Sequence, residues 1–485
     1  MSIALVHYHL RPGGVTRIVE RQSKALTAAK IPHVILTGSH PQQESDLPIR
    51  VIPALDYSVM PSHRNTGAST LMGQLCASAK EVLGDEPQCW HLHNPTLGKN
   101  RLFPQLVKTL AESEVPLVMH IHDLAEDGRP ENYSHLRERR EIYPLAPQIH
   151  YLTINSRDLT LLKSAGIPAQ QISLLRNAVG PINPAGEVPP SEEASPLVLF
   201  PVRGIRRKNL GELCLLAGLA PEKSQFVLAL PPGESGETTS YSTWIEIARK
   251  QRLPVQMGVV GRDPPSPAGD STFPAWIHAS THFITTSIAE GFGLTFLEAI
   301  AFGRPLLGRD LPEITTDFRS QGIKLQSLYS GLLVPRPWID EHCLHNLLET
   351  SLQHLYRSYG EHLPDAVVTQ TAESLFGGEF LDFGNLPETI QLAIIPRAQA
   401  SPSEILCREE NTLIPADEWL NAALERTDIN RPADLDPWSS TAFARAHRDL
   451  YDSITQCRTA KPSWLDPREV LLQYLQPERF HFLRS

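Results

Sequence analysis

The sequence lacks the features of several common protein classes. Its six cysteines are scattered and form no C-x-x-C pair, so a disulfide framework is not indicated and a reduced, cytoplasmic protein is expected. No apolar run reaches the roughly 18 residues that a membrane-spanning helix needs. The opening residues, MSIALVHYHL, have neither the basic start nor the cleavage site of a secretory signal, and they resemble a first strand.

Positive charge is also in short supply. Lys and Arg number 44 against 54 Asp and Glu, which gives a net charge of −10 and makes nonspecific nucleic-acid binding unexpected. The G-x-G-x-x-G dinucleotide fingerprint and the G-x-x-x-x-G-K-[ST] phosphate loop are both absent. Their absence argues against NAD enzymes and P-loop kinases.

Strand-like and helix-like segments alternate along the chain, which predicts α/β domains with parallel, doubly wound sheets. The length of 485 residues is too great for one ordinary core. In the first half we predict strands at 2–9, 33–37, 89–93, 116–122 and 150–154, helices at 15–29 and 156–165, and a closing segment at 174–179. In the second half we predict strands at 197–202, 226–230, 255–260, 282–286, 305–308 and 331–334.

A proline- and acid-rich segment separates the two halves. Residues 181–196, PINPAGEVPPSEEASP, show no periodicity, so they are predicted to be a linker. The first domain would then cover residues 1–180 and the second residues 197–360.

The most informative segment is the sequence E-G-F-G-L at 290–294, with the helical pattern that follows it. Seven residues separate Glu290 from Glu298, which would lie about one turn into that helix. Gly291 and Gly293 allow tight backbone geometry and the close approach of a ligand. Because the first turn of a helix has free N–H groups, phosphate binding is favoured here. The two carboxylates are placed to accept hydrogen bonds from sugar hydroxyls and from a ribose diol.

This block resembles the signature of retaining glycosyltransferases of family 4, the glycosyl transferases group 1, in which two glutamates flank such a turn. The resemblance implies a GT-B fold, with two Rossmann-like domains facing across a cleft and, here, a C-terminal extension. It also implies transfer of a hexose from a nucleoside-diphosphate sugar to an acceptor hydroxyl with retention of configuration. No cofactor and no metal are expected, because such enzymes use basic side chains and helix dipoles in place of a metal.

The resemblance further implies which residues act on the donor. Glu290 would bind donor-sugar hydroxyls, and Arg203 and Lys208 would stabilise the diphosphate as the glycosidic bond breaks. Arg206 and Arg207, which lie between them, are interpreted as surface residues. The remaining donor-binding positions are predicted to be Gly14 in a G-G loop, Phe292, Gly293, Leu294, Thr295 and Glu298.

Histidines occur in three H-x-H pairs near predicted strand ends, namely His7/His9, His91/His93 and His120/His122. Strand periodicity places each pair on one face, so spacing alone leaves open a metal site or a polar surface for sugars. The resemblance implies that His122, which Asp123 follows, lies close to the transferred sugar. Weaker acceptor-side predictions are His93, Asn94 and Asp123, whereas His7 and His120 are interpreted as structural.

The C-terminal part follows from the same resemblance. The segment from Trp438 to Tyr451 resembles the final helix of the family, so residues 433–457 are predicted to return to the first domain. Residues 361–432 would then be an insertion of unknown role and residues 458–485 a tail.

Three rival functions stay open. A metal-dependent hydrolase would use the H-x-H pairs, and a nucleotide-sugar epimerase would use the same fold. A catalytically silent protein would only bind sugar nucleotides or partners.

A predicted helix with Arg137, Arg139 and Arg140 could contact an anionic membrane, but a solvated face is favoured. The expected partners are therefore a nucleotide sugar and a sugar or other hydroxyl acceptor, without nucleic acid.

Overall fold

The computed structural model describes residues 1–11, 13–41, 45–57, 67–179, 195–233, 238–262, 271–410, 412–426, 430 and 432–484. The chain divides into two compact units. The first comprises Met1–Gly180, Ser358–Glu361 and Asp436–Gln476, and the second comprises Pro181–Arg357, His362–Leu435 and Pro477–Ser485. All but two residues of the predicted linker, 181–194 of 181–196, lie outside the described residues.

Strands and helices alternate through the first 179 residues, as predicted. The strands are β1 (Ile3–His7), β2 (His33–Thr37), β3 (Ile49–Val51), β4 (Cys89–His93), β5 (Leu117–Ile121), β6 (Pro144–Leu145), β7 (Ile149–Thr153) and β8 (Ile172–Leu174). The helices are α1 (Gly14–Ala28), α2 (Ala68–Leu83), α3 (Phe103–Glu112), α4 (Pro130–Tyr133) and α5 (Ser156–Ala165). Seven of these strands form a parallel sheet in the order β3-β2-β1-β4-β5-β7-β8.

The second unit begins with another α/β series. Its strands are β9 (Leu197–Arg203), β10 (Gln225–Leu230), β11 (Val255–Met257), β12 (His282–Thr285), β13 (Leu306–Arg309), β14 (Ser327–Tyr329), β15 (Gly331–Pro335), β16 (Phe380–Asp382), β17 (Leu406–Glu409) and β18 (Thr412–Pro415). The helices in this stretch are α6 (Leu210–Leu219), α7 (Thr238–Lys250), α8 (Phe273–Ala279), α9 (Leu294–Ala301), α10 (Pro312–Arg319), α11 (Glu341–Tyr359), α12 (Asp365–Phe376), α13 (Glu388–Ala400) and α14 (Ala416–Glu425). A six-stranded parallel sheet has the order β11-β10-β9-β12-β13-β14.

Residues 331–334 form a strand, but the expectation that they continue the parallel series was wrong. β15 pairs antiparallel with β16 and β17, in a separate four-stranded sheet of order β16-β15-β17-β18. The parallel sheet ends at β14, which was not predicted, and only Ser330 lies between these two strands. The change of sheet uses the region predicted as an insertion, since residues 361–432 supply β16, β17 and β18. Helices α13 and α14 from the same region pack against α6.

The C-terminal elements are α15 (Ser440–Thr455), β19 (Ser463–Trp464) and α16 (Pro467–Tyr474). Helix α15 packs on α1 in the first unit, where Phe443 and Tyr451 share a core cluster with Ile18 and Val19. β19 pairs with β6, and α16 packs against α5. The segment predicted as a tail therefore contains regular structure in its first half.

The helix predicted around three arginines is not present. α4 ends at Tyr133, Arg137 lies in a turn, and Arg140 begins a short 3-10 helix, Arg140–Ile142. Membrane contact through a basic helix thus loses its structural basis. In the described ranges, no helix is both long and apolar enough to cross a bilayer.

A buried charge network joins the two sheets of the second unit. The Arg309 guanidinium donates to both carboxylate oxygens of Glu212, at 2.8 and 2.6 Å, and to both of Asp382, at 2.8 and 2.7 Å. Tyr329 also donates to Glu212, at 2.6 Å. Glu212 is fully buried and Arg309 is 5% exposed. Because β13, α6 and β16 contribute the three charges, the network ties the small sheet to the parallel one.

Replacing Arg309 by methionine is expected to destabilise the second unit strongly, because it leaves two carboxylates buried without their partner. The free energy of unfolding should fall by about 3–5 kcal/mol in urea denaturation followed by tryptophan fluorescence. The matched control is Arg319→Met, which removes an exposed arginine that pairs with Asp310 and should cost less than about 1 kcal/mol. Equal, small losses in both variants would contradict a structural role for the network.

Candidate functional site

The predicted donor residues of the second unit lie at one edge of its parallel sheet. β9 and β12 are neighbours, with Val198 opposite His282 and Leu199 opposite Phe283. Since parallel strands end at the same edge, the loops that follow these two strands are adjacent. Hydrogen bonds join the loops: Ile288 N donates to Arg207 O at 3.0 Å, Thr286 Oγ1 donates to Lys208 O at 2.8 Å, and Arg207 Nη1 donates to Ala289 O at 2.8 Å.

A buried ion pair forms between the two loops. Lys208 Nζ donates to Glu290 Oε1, and Arg207 Nη1 donates to Glu290 Oε2 at 3.1 Å. The side chains of Lys208 and Glu290 are only 8% and 9% exposed, whereas that of Arg207 is 41% exposed. Burial alone would raise the pKa of Glu290, but the adjacent Lys208 and Arg207 charges lower that pKa to about 2. Glu290 is therefore ionised at neutral pH.

Burial and neighbouring charges act in opposite directions on the pKa of Lys208. Loss of hydration on burial lowers the pKa of Lys208 to about 8, with a further contribution from Arg207, although Glu290 opposes the shift. Lys208 is therefore mostly protonated at pH 7 and loses its charge in the mildly alkaline range.

The glycine turn fixes where α9 begins. Gly293, which precedes the first helical residue, has φ of +79°, a conformation that L side chains rarely adopt. A Cβ at Gly293 would also lie 2.8 Å from Ile314 Cγ2. Phe292 is buried, with its ring edge-on to Phe318 at a centroid distance of 6.1 Å. The backbone N–H groups of the first turn of α9 are therefore held at a fixed position beside Glu290.

The other predicted donor residues lie on the same elements. Arg203 is the last residue of β9 and is exposed, Leu294 and Thr295 open α9, and Glu298 is the fifth residue of that helix and half-buried. Arg207 was interpreted as a surface residue, and its side chain is 41% exposed, but its contact with Glu290 was not predicted. The only available signal was its position beside Lys208 in a basic run, and the 3-10 helix Arg206–Lys208 is what turns both side chains to Glu290.

In the first unit, the predicted histidines line one face of the parallel sheet and are almost entirely buried. His7 is 1% exposed, His122 is 4% exposed, and His91, His93 and His120 are 0% exposed. His91 Nε2 lies 3.0 Å from His120 Nδ1, and His93 Nδ1 lies 3.0 Å from His122 Nε2. Helix α15 adds a further buried histidine, His447, which sequence reasoning missed because no H-x-H pattern marks it.

The remaining first-unit residues occupy the ends of β4 and β5. Asn94 Oδ1 accepts hydrogen bonds from the backbone N–H groups of His122, at 2.7 Å, and Asp123, at 2.8 Å. Arg129 Nη2 donates to Asp123 Oδ1 at 2.6 Å. The side chain of Asn94 thus fixes the backbone that carries His122. Gly14 opens α1, and a Cβ placed on it would meet no atom within 4 Å.

Comparisons with known proteins agree with this architecture. No protein-family model matches the sequence. A curated protein of Petrotoga mobilis, mannosylglucosyl-3-phosphoglycerate synthase, is 26% identical over 440 residues, which cover 83% of this chain and 82% of that protein. The structure of sucrose-phosphate synthase from Thermosynechococcus elongatus aligns at a TM-score of 0.52 and 15% identity, over 93% of this chain and 98% of that one. Anabaena HepE in complex with UDP-glucose aligns at a TM-score of 0.50 and 14% identity, over 93% of this chain and 100% of that one.

The two Rossmann-like units, each built on a parallel sheet, define the GT-B fold, and the expected fold class is confirmed. Taken with the curated relative, this makes the chain a glycosyltransferase. Membership of family 4 and retention of configuration stay predictions, as do the roles of the individual residues.

The comparisons do not favour a metal-dependent hydrolase, because the relative is a synthase. The structure adds a physical reason. A hydrolytic metal keeps an open ligand position that water and substrate can reach. His7, His91, His93 and His120 are at most 1% exposed, so these four histidines offer no such position.

We expect the affinity for a nucleoside diphosphate to fall as pH rises above about 8, because protonated Lys208 attracts the anion and neutral Lys208 does not. The loss should approach tenfold per pH unit between pH 8.5 and 9.5 in isothermal titration calorimetry at constant ionic strength. Lys208→Arg keeps its charge over this range, so its affinity should vary little with pH. The unphosphorylated nucleoside is the ligand control. An equal pH slope in both proteins would remove Lys208 from the diphosphate site.

Proposed function

We propose that this chain is a retaining, metal-independent hexosyltransferase of family 4 that uses a nucleoside-diphosphate sugar. The observation that carries the proposal is the buried Lys208–Glu290 pair beside the start of α9. The pair brings a cation and a carboxylate to the strand edge where α9 begins, which supports the binding of a phosphate and of sugar hydroxyls there. The complex of HepE with UDP-glucose supports a nucleotide-sugar donor.

The ion pair leaves hydrogen-bonding capacity for a ligand on both sides. An ammonium group has three donors and a carboxylate has about four acceptor positions. Lys208 uses one donor on Glu290, and Glu290 accepts one bond from Lys208 and one from Arg207. In the proposal, the other donors of Lys208 bind diphosphate oxygens, and the other lone pairs of Glu290 accept bonds from donor-sugar hydroxyls.

Positive charge from the protein would replace a metal at the leaving group. Lys208, Arg207 and the exposed Arg203 all belong to the segment that ends β9 and leads into α6. As the bond between the anomeric carbon and the diphosphate oxygen breaks, negative charge grows on that oxygen. Fixed cations and the first turn of α9 stabilise this charge without reorganisation. The side chain of Glu298 would bind the ribose.

Glu290 is a ligand for the sugar in this proposal and not a nucleophile. Two cations hold its carboxylate and lower its pKa to about 2, so it is a weak base. The acceptor oxygen would attack the anomeric carbon on the face from which the diphosphate leaves. The proton of the acceptor hydroxyl would pass to the departing phosphate, so a protein base is not required.

The proposed roles in the first unit centre on His122. Burial lowers the pKa of His122 to about 4 despite the nearby Asp123, so the ring is neutral and can exchange hydrogen bonds with a sugar hydroxyl. His93 is fully buried, so it would act by orienting His122 through their 3.0 Å contact. Asn94 would act in the same indirect way, through the backbone N–H groups that it binds. Gly14 would allow the donor to approach the start of α1.

We further propose an anionic acceptor. The name of the Petrotoga relative specifies a 3-phosphoglycerate group. The first unit has a cavity of about 520 Å³ whose lining includes Arg101, Arg137, Arg139 and His135. Most of this lining follows β5 along the chain, and Arg101 follows β4. The basic side chains outnumber the one acidic residue in the lining, Glu138, which suits a phosphorylated or carboxylated acceptor.

The function is tested by incubating the chain with UDP-, GDP- and ADP-hexoses and 3-phosphoglycerate or its glucosyl conjugate, in the presence of EDTA. We expect one donor class to give a glycoside whose anomeric configuration, determined by proton NMR, matches that of the donor. Glucose 6-phosphate and glycerol serve as acceptors that separate phosphate recognition from glycerate recognition. A product with inverted configuration, or activity lost in EDTA and restored by magnesium, would contradict the proposal. Conversion of the sugar nucleotide without any acceptor would indicate an epimerase.

A further inference from the structure

The first unit contains more buried histidine than the proposed reaction uses. His7, His91, His93, His120, His122 and His447 form what we call the histidine cluster, and each is at most 4% exposed. The transfer chemistry calls on His122 and, indirectly, on His93. Of the others, His91 and His120 contact His447 of helix α15.

Two overlapping sets of three within the histidine cluster have the spacing of metal ligands. In each set every residue offers a ring nitrogen, and the three nitrogens lie within 4.8 Å of one another. One set is His91, His120 and His447, and the other is His93, His120 and His122. The first set does not include His122, the histidine assigned to the sugar. Its three residues come from β4, β5 and α15.

Hydrogen bonds orient the rings of the first set as they do in metal sites. His447 Nδ1 lies 2.9 Å from Phe443 O and can only donate to it, which leaves the lone pair on Nε2. A backbone carbonyl that fixes the tautomer in this way is the usual support of a metal-bound histidine. His447 Nε2 and His120 Nε2 are both buried without a hydrogen-bond partner among the described residues.

His91 is held by a second layer of polar groups. Its Nδ1 lies 2.7 Å from Tyr451 Oη, and Gln22 Nε2 donates to the same oxygen at 2.7 Å. Its Nε2 faces His120 Nδ1 at 3.0 Å. Two nitrogens bound to one tetrahedral zinc, with Zn–N bonds of about 2.0–2.1 Å, are roughly 3.3 Å apart. A metal ion can therefore lie between these two rings with little movement. The proton that they share would move to His120 Nε2, so that both ligands stay neutral.

We propose that His91, His120 and His447 form a buried structural zinc site that fastens α15 to the sheet of the first unit. Neutral imidazoles suit zinc among the available cations, since the three ligands include no thiolate and no carboxylate. Burial closes the site to substrate, and a buried water would complete the tetrahedron that the three histidines leave one ligand short. The zinc plays no part in the transfer, which is proposed to be metal-independent.

The test is the metal content of the full chain, produced without a histidine tag in zinc-supplemented medium and measured by mass spectrometry. We expect one zinc per chain. His91→Gln and His447→Gln should each lower this at least fivefold. The matched control is His33→Gln, which removes a buried histidine of β2 that contacts Ser23 and lies outside the histidine cluster. It should keep its zinc.

A second readout does not depend on the variants folding well. Treatment of the wild-type chain with a strong chelator should lower its melting temperature, and added zinc should restore it. Cobalt(II) in place of zinc should give the visible absorption of a tetrahedral nitrogen site. Wild-type chain with less than a tenth of an equivalent of zinc, and no response of the melting temperature to zinc, would overturn the proposal. Loss of zinc in His122→Gln but not in His447→Gln would also overturn it, in favour of the second set.

Discussion

The Lys208–Glu290 ion pair depends on a single topological fact, the adjacency of β9 and β12 in a parallel sheet. The two residues are 82 positions apart, and no local pattern would bring them together. Once the strands are neighbours, their following loops meet at the carboxyl edge, where ligands bind in folds of this kind. The glycine turn then adds the start of α9 at the same point. The part of the proposed donor site that lies in the second unit follows from that adjacency.

The second unit contains two buried charge clusters with different properties. At Arg309, one guanidinium donates four bonds to two carboxylates, and Glu212 accepts two more, from Tyr329 and Asn209. All of the roughly four acceptor positions of Glu212 are then in use, so the role of this network is structural. The Lys208–Glu290 pair makes fewer hydrogen bonds, so the Lys208 ammonium keeps N–H donors and the Glu290 carboxylate keeps acceptor positions for a ligand. Burial of an ion pair gives little net stability. A buried pair with unused capacity is therefore better explained by ligand binding than by stability.

Part of the fold and part of the candidate site could be predicted from the sequence, for physical reasons. The bounds of α5 and the start of α9 were predicted correctly, because both are set by local residues. The pairing of β15 could not be predicted, since an apolar run of this length suits a parallel or an antiparallel partner equally. The contact of Arg207 with Glu290 and the arrival of His447 beside His120 are long-range events with no local pattern. The resemblance to a family, not spacing, is what pointed to Glu290 and Lys208.

The central claim is that Glu290 binds the sugar while Lys208 binds the diphosphate, and calorimetry on two variants tests it most directly. Glu290→Gln should bind the sugar nucleotide about tenfold to a hundredfold more weakly, as expected for lost hydrogen bonds to a charged group, yet bind the free nucleoside diphosphate as well as wild type does. Lys208→Met should bind both the sugar nucleotide and the free nucleoside diphosphate more weakly than wild type does. Glu313→Gln, which changes an exposed glutamate of the same unit, is the control. If Glu290→Gln bound the sugar nucleotide with unchanged affinity, the account of the site would be wrong.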